Sequence, residues 1–204
     1  SGFVIATQVA SSLMQTNQCT TVLVIGAETI SKVLDWEDRT TCVLFGDGAG
    51  AILYQASLSN DNMQGFSMVH YANSQGDIEG VLITEKKGNG YLKMQGQPVF
   101  RFAVAAIMDA IEKVCTQANI SMDQIDFLIP HQANLRIIQH ISEKLKIPQE
   151  KVIINVQEFG NTSAASIPIA MAQAKQNQLL KKGDLVLMVG FGGGLTWAAT
   201  LMKC

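Results

Sequence analysis

The sequence predicts a layered α/β fold in which one unit is used twice. Three observations carry that expectation. Helical and strand-like segments alternate along the chain. Short apolar runs enter glycine-rich turns, at 46–51 and again at 190–194, and continue as further strand-like runs. Helix, strand, glycine-rich turn and strand recur in that order at both ends. The helices start near residues 2 and 163 and the strands near 21 and 184, offsets of 161 and 163. The first copy carries an insertion at 28–40.

In chain order, Phe3, Ile5, Val9, Leu13 and Met14 recur at helical spacing. Residues 21–25, TVLVI, are a short apolar run ending at Gly26, the pattern of a buried parallel strand. Val43, Leu44 and Phe45 form another strand-like run. It enters Gly46-Asp47-Gly48-Ala49-Gly50 and leaves as a strand at 51–54. Residues 55–97 are polar and mixed, with turn signals at Asn89-Gly90 and Gln95-Gly96, and form the boundary between halves. The expected division is 1–58 for the remainder of a first half, 59–97 for a connection and 98–204 for the second half.

Pro98 opens a long amphipathic helix with Val99, Phe102, Ala106, Ala110 and Val114 on one face. Residues 127–129 are a strand stopped by Pro130. Asn134 caps a helix through Leu145. Thr162 or Ser163 caps a helix running to about Leu180. Residues 185–189 are a strand, and 195–201 are its partner beyond Gly190-Phe191-Gly192-Gly193-Gly194.

Composition narrows the function classes. With 48% apolar and 16% charged residues the chain can bury a core, which excludes a disordered chain. A formal charge of −2 argues against nucleic acid as the main partner. No window reaches the ~18 apolar residues of a membrane helix. Residues 1–85 carry two bases and nine acids, and residues 86–204 carry thirteen bases and eight acids. That asymmetry fits either a basic face for an anionic partner or ordinary surface scatter. Cys19, Cys42, Cys115 and Cys204 make no CxxC pair and stand near no His at metal-ligand spacing, so no metal site is expected. Their wide spacing fits a reducing compartment, hence cytoplasm. Cys19 and Cys42 adjoin strand-like runs, where buried structural thiols sit. The chain opens on Ser1 and enters a helical pattern at once, so it reads as a piece of a longer polypeptide.

Four segments can carry chemistry. Gly46-Asp47-Gly48-Ala49-Gly50-Ala51 matches G-x-G-x-x-A, but a dinucleotide site needs a helix after it, and a strand follows. The glycines then serve close backbone approach or positive φ, with Asp47 bonding backbone within the turn. His131 stands where a strand has ended and a helix is about to begin, suited to acid–base or hydrogen-bond work, or simply a loop His. His70 and His140 read as surface residues. Asn161 opens a run of small residues, either as a helix cap or as an amide aimed where negative charge develops. The glycines at 190–194 can present N–H groups to an oxyanion, or form a bulged hairpin.

Together, HQANLRI (131–137), GNTSAASIP (160–168), FGDGAGA (45–51) and GFGGGLTW (190–197) resemble the β-ketoacyl-acyl carrier protein synthase III family. These are thiolase-fold condensing enzymes that initiate fatty-acid synthesis. The resemblance runs the length of the chain and implies a layered α/β/α/β/α fold of duplicated units, here with an incomplete first half. It implies a nucleophilic Cys immediately before Ser1, absent from this chain, with His131 and Asn161 as the catalytic His and Asn. The Cys and the Asn would sit at the N-termini of matching helices, where a thiolate is stabilised.

The implied reaction is a decarboxylative Claisen condensation. The Cys takes an acyl group from acyl-CoA, usually acetyl-CoA. Malonyl-acyl carrier protein then loses CO₂, and His131 and Asn161 hold the enolate. Gly193 matches the oxyanion-hole glycine. Arg39 matches a position that packs on the CoA adenine, and Gly96, Phe100 and Asn134 match the CoA channel. Arg101, where a Lys is common, and Arg136 match basic residues that meet the carrier protein. No cofactor is implied beyond the CoA thioester as substrate. A homodimer is expected, with no membrane or nucleic-acid partner. The alternatives are a related CoA-thioester condensing enzyme of secondary metabolism, or an inert fragment or scaffold lacking the nucleophile.

Overall fold

The computed structural model describes residues 1–56, 68–76, 82–84 and 90–204. Helix α1 (Gly2–Gln15) leads into β1 (Thr21–Glu28), which pairs antiparallel with β2 (Gly48–Gln55) over eight residues. Near the other end, α5 (Ser166–Gln176) leads into β7 (Leu185–Gly192), which pairs antiparallel with β8 (Thr196–Lys203), again over eight. The repeated helix–strand–strand unit is therefore present at both ends.

The second sheet has the order β3-β8-β7-β6, with β3 (Val69–Ser74) antiparallel to β8 and β6 (Phe127–Pro130) parallel to β7. Its edge strand β3 comes from the region read as a connection. Side chains alternate across this sheet. Leu187, Val189, Trp197, Ala199 and Leu201 face a core built with α2 (Gly96–Ala118) and α3 (Leu135–Leu145). Val186, Met188, Ala198 and Met202 face a second core shared with α1, α5, Val24 and Tyr54. β7 is buried on both faces, so it reads as an unbroken apolar run.

Sheet, helices, sheet and helices thus stack in four layers. On the first sheet, Val24 and Tyr54 face inward while Leu23, Ile25 and Leu53 stay 55%, 59% and 64% exposed. Leu23 stands directly opposite Leu53, and Ile25 opposite Ala51. The equivalent face of the second sheet is covered by α2. Among the described residues nothing covers this one.

Several sequence expectations change. The run at 21–25 is not a buried parallel strand: its one recorded partner is antiparallel and one of its faces is open. Residues 43–45 form no strand, and Phe45 makes only a single parallel bridge, to Asn161. The glycines after Asp47 lie inside β2 rather than in a turn. They serve close approach, since a Cβ on Gly50 would fall 2.9 Å from Ile169 N on α5. Asp47 does accept from backbone, but from Ser31 N at 2.8 Å, outside its own turn.

Helix α2 starts at Gly96, so Gln95-Gly96 is a helix start rather than a turn and Pro98 sits third. Proline is tolerated there because the first N–H groups of a helix have no partner within it. Asn134 caps α3 as expected, its Oδ1 accepting from Arg136 N at 2.9 Å. Neither Thr162 nor Ser163 caps α5 through its side chain. A 3₁₀ turn at Ser163–Ala165 precedes α5, which ends at Gln176. Cys19 and Cys42 are half-buried, and Cys115 is the buried thiol. Asn89 lies outside the described residues.

Candidate active site

The site forms where strand β6 ends. The His131 N–H donates to Val189 O at 2.7 Å, so His131 stays tied to β7 one residue past Pro130. Its Nδ1 lies 2.7 Å from Ser166 Oγ on α5. The Phe191 ring meets the imidazole edge-on, with centroids 5.3 Å apart. Burial pushes the His131 pKa down to about 3. The ring is neutral at pH 7, and Nε2 is the nitrogen left for the cavity it lines.

The next residue anchors the loop. Gln132 Nε2 donates to Pro130 O at 2.8 Å and to Ile153 O at 3.1 Å. Its Oε1 accepts from Asn155 N at 2.9 Å and Val156 N at 3.2 Å. One buried amide thus joins the end of β6 to the segment entering α4 (Val156–Phe159), the short helix just ahead of Asn161.

Asn161 is held from three directions. Its N–H donates to Leu44 O at 2.8 Å, and its carbonyl accepts from Gly46 N at 3.0 Å. Its side-chain Oδ1 accepts from Ser163 N at 2.9 Å. With the oxygen engaged, the amide Nδ2 is the polar group left to offer. Ser163 adopts a left-handed φ of 50°, uncommon for a residue with a side chain. Its hydroxyl bonds Glu28 Oε1 at 3.2 Å, and the same oxygen accepts from Ala164 N at 3.3 Å. Glu28 therefore ties the end of β1 to the Asn161 loop.

Ser1, ahead of α1, completes the arrangement. Its nitrogen donates to Phe191 O at 3.1 Å, and its hydroxyl bonds Thr196 Oγ1. A Cβ on Gly190 would sit 3.3 Å from Ser1 N and 3.7 Å from His131 Cβ. Glycine there leaves room for α1 and His131 to meet over β7.

Ser1, Glu28, His131, Asn161, Ser163 and Phe191 line one cavity of about 1050 Å³. That is at the upper end of small-molecule sites. Leu82 of β4 (Leu82–Thr84) and Leu92 and Met94 of β5 (Leu92–Met94) add apolar lining. Among the residues expected from sequence, His131, Asn161, Gly193, Gly96, Phe100, Asn134 and Arg136 all line it. Arg39 and Arg101 are exposed and outside the lining. No cysteine among the described residues lines it.

Sequence reading missed Glu28, Ser163 and His140. His140 is not a plain surface residue: it lines the cavity, with its ring 5.7 Å from that of Phe100. His70 is no loop residue either, for it lies on β3 with Nδ1 2.9 Å from Thr200 Oγ1. Apolar periodicity signals neither role. Both depend on contacts distant in sequence.

Residues 1–74 match the family model described as 3-oxoacyl-[acyl-carrier-protein] synthase III. Residues 115–204 match the model for the C-terminal part of the same family. The chain is similar to β-ketoacyl-[acyl-carrier-protein] synthase III of Aquifex aeolicus, 45% identical over 203 residues, covering all of this chain and 64% of the relative. It is 44% identical to the enzyme of that name from Clostridium tetani, covering 65% of it. The crystal structure of the Aquifex aeolicus synthase superposes with a TM-score of 0.92 at 43% identity, covering all of this chain and 64% of that one. The chain spans just under two thirds of the length of these relatives. It belongs to the 3-oxoacyl-[acyl-carrier-protein] synthase III family, with that family's thiolase-like fold.

Proposed function

We propose that the protein carrying this chain condenses an acyl-CoA primer, acetyl-CoA in the first instance, with malonyl-acyl carrier protein. The observation that carries the reading is the convergence of two neutral donors on one cavity. His131 has Nδ1 engaged and Asn161 has Oδ1 engaged, so each has one nitrogen left to offer.

The nucleophile is a cysteine joined to Ser1 N. That nitrogen is buried beside Phe191 and Gly190, close to His131, at the N-terminus of α1. A helix N-terminus stabilises a thiolate there. The thiolate attacks the primer's thioester carbonyl, and CoA leaves as its thiolate. Malonyl-acyl carrier protein then loses CO₂, and the electron pair of the broken C–C bond becomes an enolate. His131 Nε2–H and Asn161 Nδ2–H donate to the enolate oxygen. A neutral ring suits this, because a buried imidazolium carries a desolvation cost. The enolate carbon attacks the acyl-cysteine carbonyl, whose developing oxyanion takes N–H bonds from the cysteine and from Gly193. Collapse expels the cysteine thiolate and leaves the β-ketoacyl group on the carrier protein. One oxyanion donor is worth roughly 3 kcal/mol of barrier.

Gly96, Phe100 and Asn134 line the CoA channel in this reading, and Arg39 packs on the adenine. Arg101 and Arg136 meet the acidic carrier protein. The protein works as a cytoplasmic homodimer. No described helix is long and apolar enough to cross a membrane.

The test is mass spectrometry of the polypeptide that carries a cysteine before Ser1. Acetyl-CoA should leave one acetyl group on that cysteine, and malonyl-acyl carrier protein should then remove it as acetoacetyl product. A protein with the cysteine that takes up no acetyl group would end the proposal.

A further inference from the structure

We infer that Ser166 is a positioning residue: its hydroxyl fixes His131 as the tautomer protonated on Nε2. The inference rests on the enolate-donor reading of His131 and names what makes that donor available.

Ser166 Oγ has two contacts, the Gln132 N–H at 3.3 Å and His131 Nδ1 at 2.7 Å. A backbone N–H can only donate, so Oγ accepts from Gln132. The hydroxyl proton then needs an acceptor. Ser166 is 2% exposed, so bulk water is not at hand. Among the described residues, His131 Nδ1 is the sole acceptor recorded for it. The hydroxyl therefore donates to Nδ1, which must be the unprotonated nitrogen of a neutral ring. The ring proton is on Nε2, the nitrogen left for the cavity. The opposite tautomer would place two donors on Oγ and leave its own proton buried and unpaired, at a real free-energy cost.

The rest of the ring's surroundings fit. His131 N is fixed on Val189 O, and the edge-on Phe191 ring limits rotation. Glu28, one of two carboxylates lining the cavity with Glu143, bonds Ser163 Oγ and Ala164 N. No carboxylate is recorded on His131 Nδ1, so the orienting group is neutral. A neutral orienter leaves the ring uncharged, as a donor to an enolate should be, whereas a carboxylate would favour the imidazolium.

The experiment has a spectroscopic arm and a kinetic arm, both on the protein with its cysteine in place and ¹⁵N-labelled histidine. The His131 signals are assigned by their loss in His131→Gln. Long-range ¹H–¹⁵N correlation at pH 7 should show Nδ1 unprotonated and Nε2 protonated. An Nδ1–H ring, or an imidazolium, overturns the inference. In Ser166→Ala the Nδ1 resonance should lose its hydrogen-bond shift. Condensation kcat should fall about 10- to 100-fold, by analogy with the loss when the orienting partner of a metal-bound histidine is removed. The KM for malonyl-acyl carrier protein and self-acylation by acetyl-CoA should hold. Ser166→Thr, which keeps the hydroxyl, should restore the Nδ1 shift and most of kcat. Unchanged kcat in Ser166→Ala refutes the positioning role. If His131→Ala also condenses normally, the fault lies in the enolate reading instead.

Discussion

Asn161 and Phe45 pair as a parallel bridge that joins the segment entering β2 to the loop ahead of α5, beside the cavity that both residues line. Both backbone polar groups of Asn161 are spent on the Leu44–Gly46 segment, and Oδ1 on Ser163 N. A side chain so placed caps a turn with its oxygen and leaves its nitrogen unspent, so a cap does not exclude a donor. Single substitutions can separate them.

Asn161→Asp keeps the acceptor for Ser163 N–H and removes the Nδ2 donor. Thermal stability should stay within about 1 kcal/mol of the parent. Condensation should fall about 10²- to 10³-fold, since a carboxylate offers no donor and repels an enolate. Asn161→Ala should lose both the cap and the rate. Melting curves and β-ketoacyl product formation check both variants, and near-normal condensation by the Asp variant would reduce Asn161 to a cap.

Gln132→Leu removes two donors and an acceptor from a buried junction, leaving Pro130 O, Ile153 O, Asn155 N and Val156 N short of partners. Each buried polar group left unpaired costs about 1–3 kcal/mol, partly relieved by the carbonyls' remaining bonds. We expect a loss of about 3 kcal/mol in urea unfolding at unchanged m-value. A loss under 1 kcal/mol would mean that the junction holds without its amide.

Much of this was legible in the chain. Alternation of apolar runs located β6, β7 and β8, and Asn134 announced the start of α3. The matched order of helix, strand and strand at both ends exposed the duplication. What escaped is instructive physically. Residues 43–45 look like a strand because Val, Leu and Phe stand together, yet the 28–40 insertion loops the chain away and leaves one bridge to Asn161. Glycines 48 and 50 look like turn residues, but they thin β2 so that α5 can pack against it. Glu28 and Ser166 act through partners more than thirty residues distant in the chain. Local pattern carries no trace of such bonds; only the segments resembling a known family placed His131 and Asn161 together before the fold did.

The open face of the first sheet predicts the behaviour of this chain by itself. Leu23 and Leu53 stand opposite each other, both exposed, beside Ile25. Contiguous apolar surface on a two-stranded sheet with open edges drives association. Sedimentation should find the 204-residue chain self-associated at micromolar concentration, and Leu23→Lys with Leu53→Lys should shift it toward monomer. Both side chains already point to solvent, so the fold should persist by circular dichroism. Equal association in the double variant would exclude this face.

Arg136 is exposed, lines the cavity, and sits in the first turn of α3. A cation there is not favoured by the helix dipole, which suggests service to a partner rather than to the helix. Arg136→Glu should raise the KM for malonyl-acyl carrier protein about tenfold at low salt while leaving acetyl-CoA self-acylation nearly unchanged. The deficit should shrink as salt rises, because exposed pairs are screened over ~10 Å at 0.1 M. Equal loss with both substrates would place Arg136 in the chemistry instead of the docking.

The neutral state of His131 sets a pH dependence with a definite sign. Unfolded histidine takes up a proton near pH 6.5, whereas buried His131 does so only near 3. Between those values the unfolded chain holds more protons, so stability must fall as the pH falls through that window and level off above it. His70 is lowered by burial as well and contributes in the same direction. The His131 share is isolated by comparing the parent with His131→Gln, which keeps His70 and every carboxylate. Urea unfolding at pH 7.5, 6.0 and 5.0 should show the parent losing up to about 1 kcal/mol per pH unit more than the variant below pH 6. Above pH 7 the gap between the two should be constant. Parallel losses down to pH 5 would mean that His131 protonates freely in the native state, and the ring could not then serve as a neutral donor across the acid range.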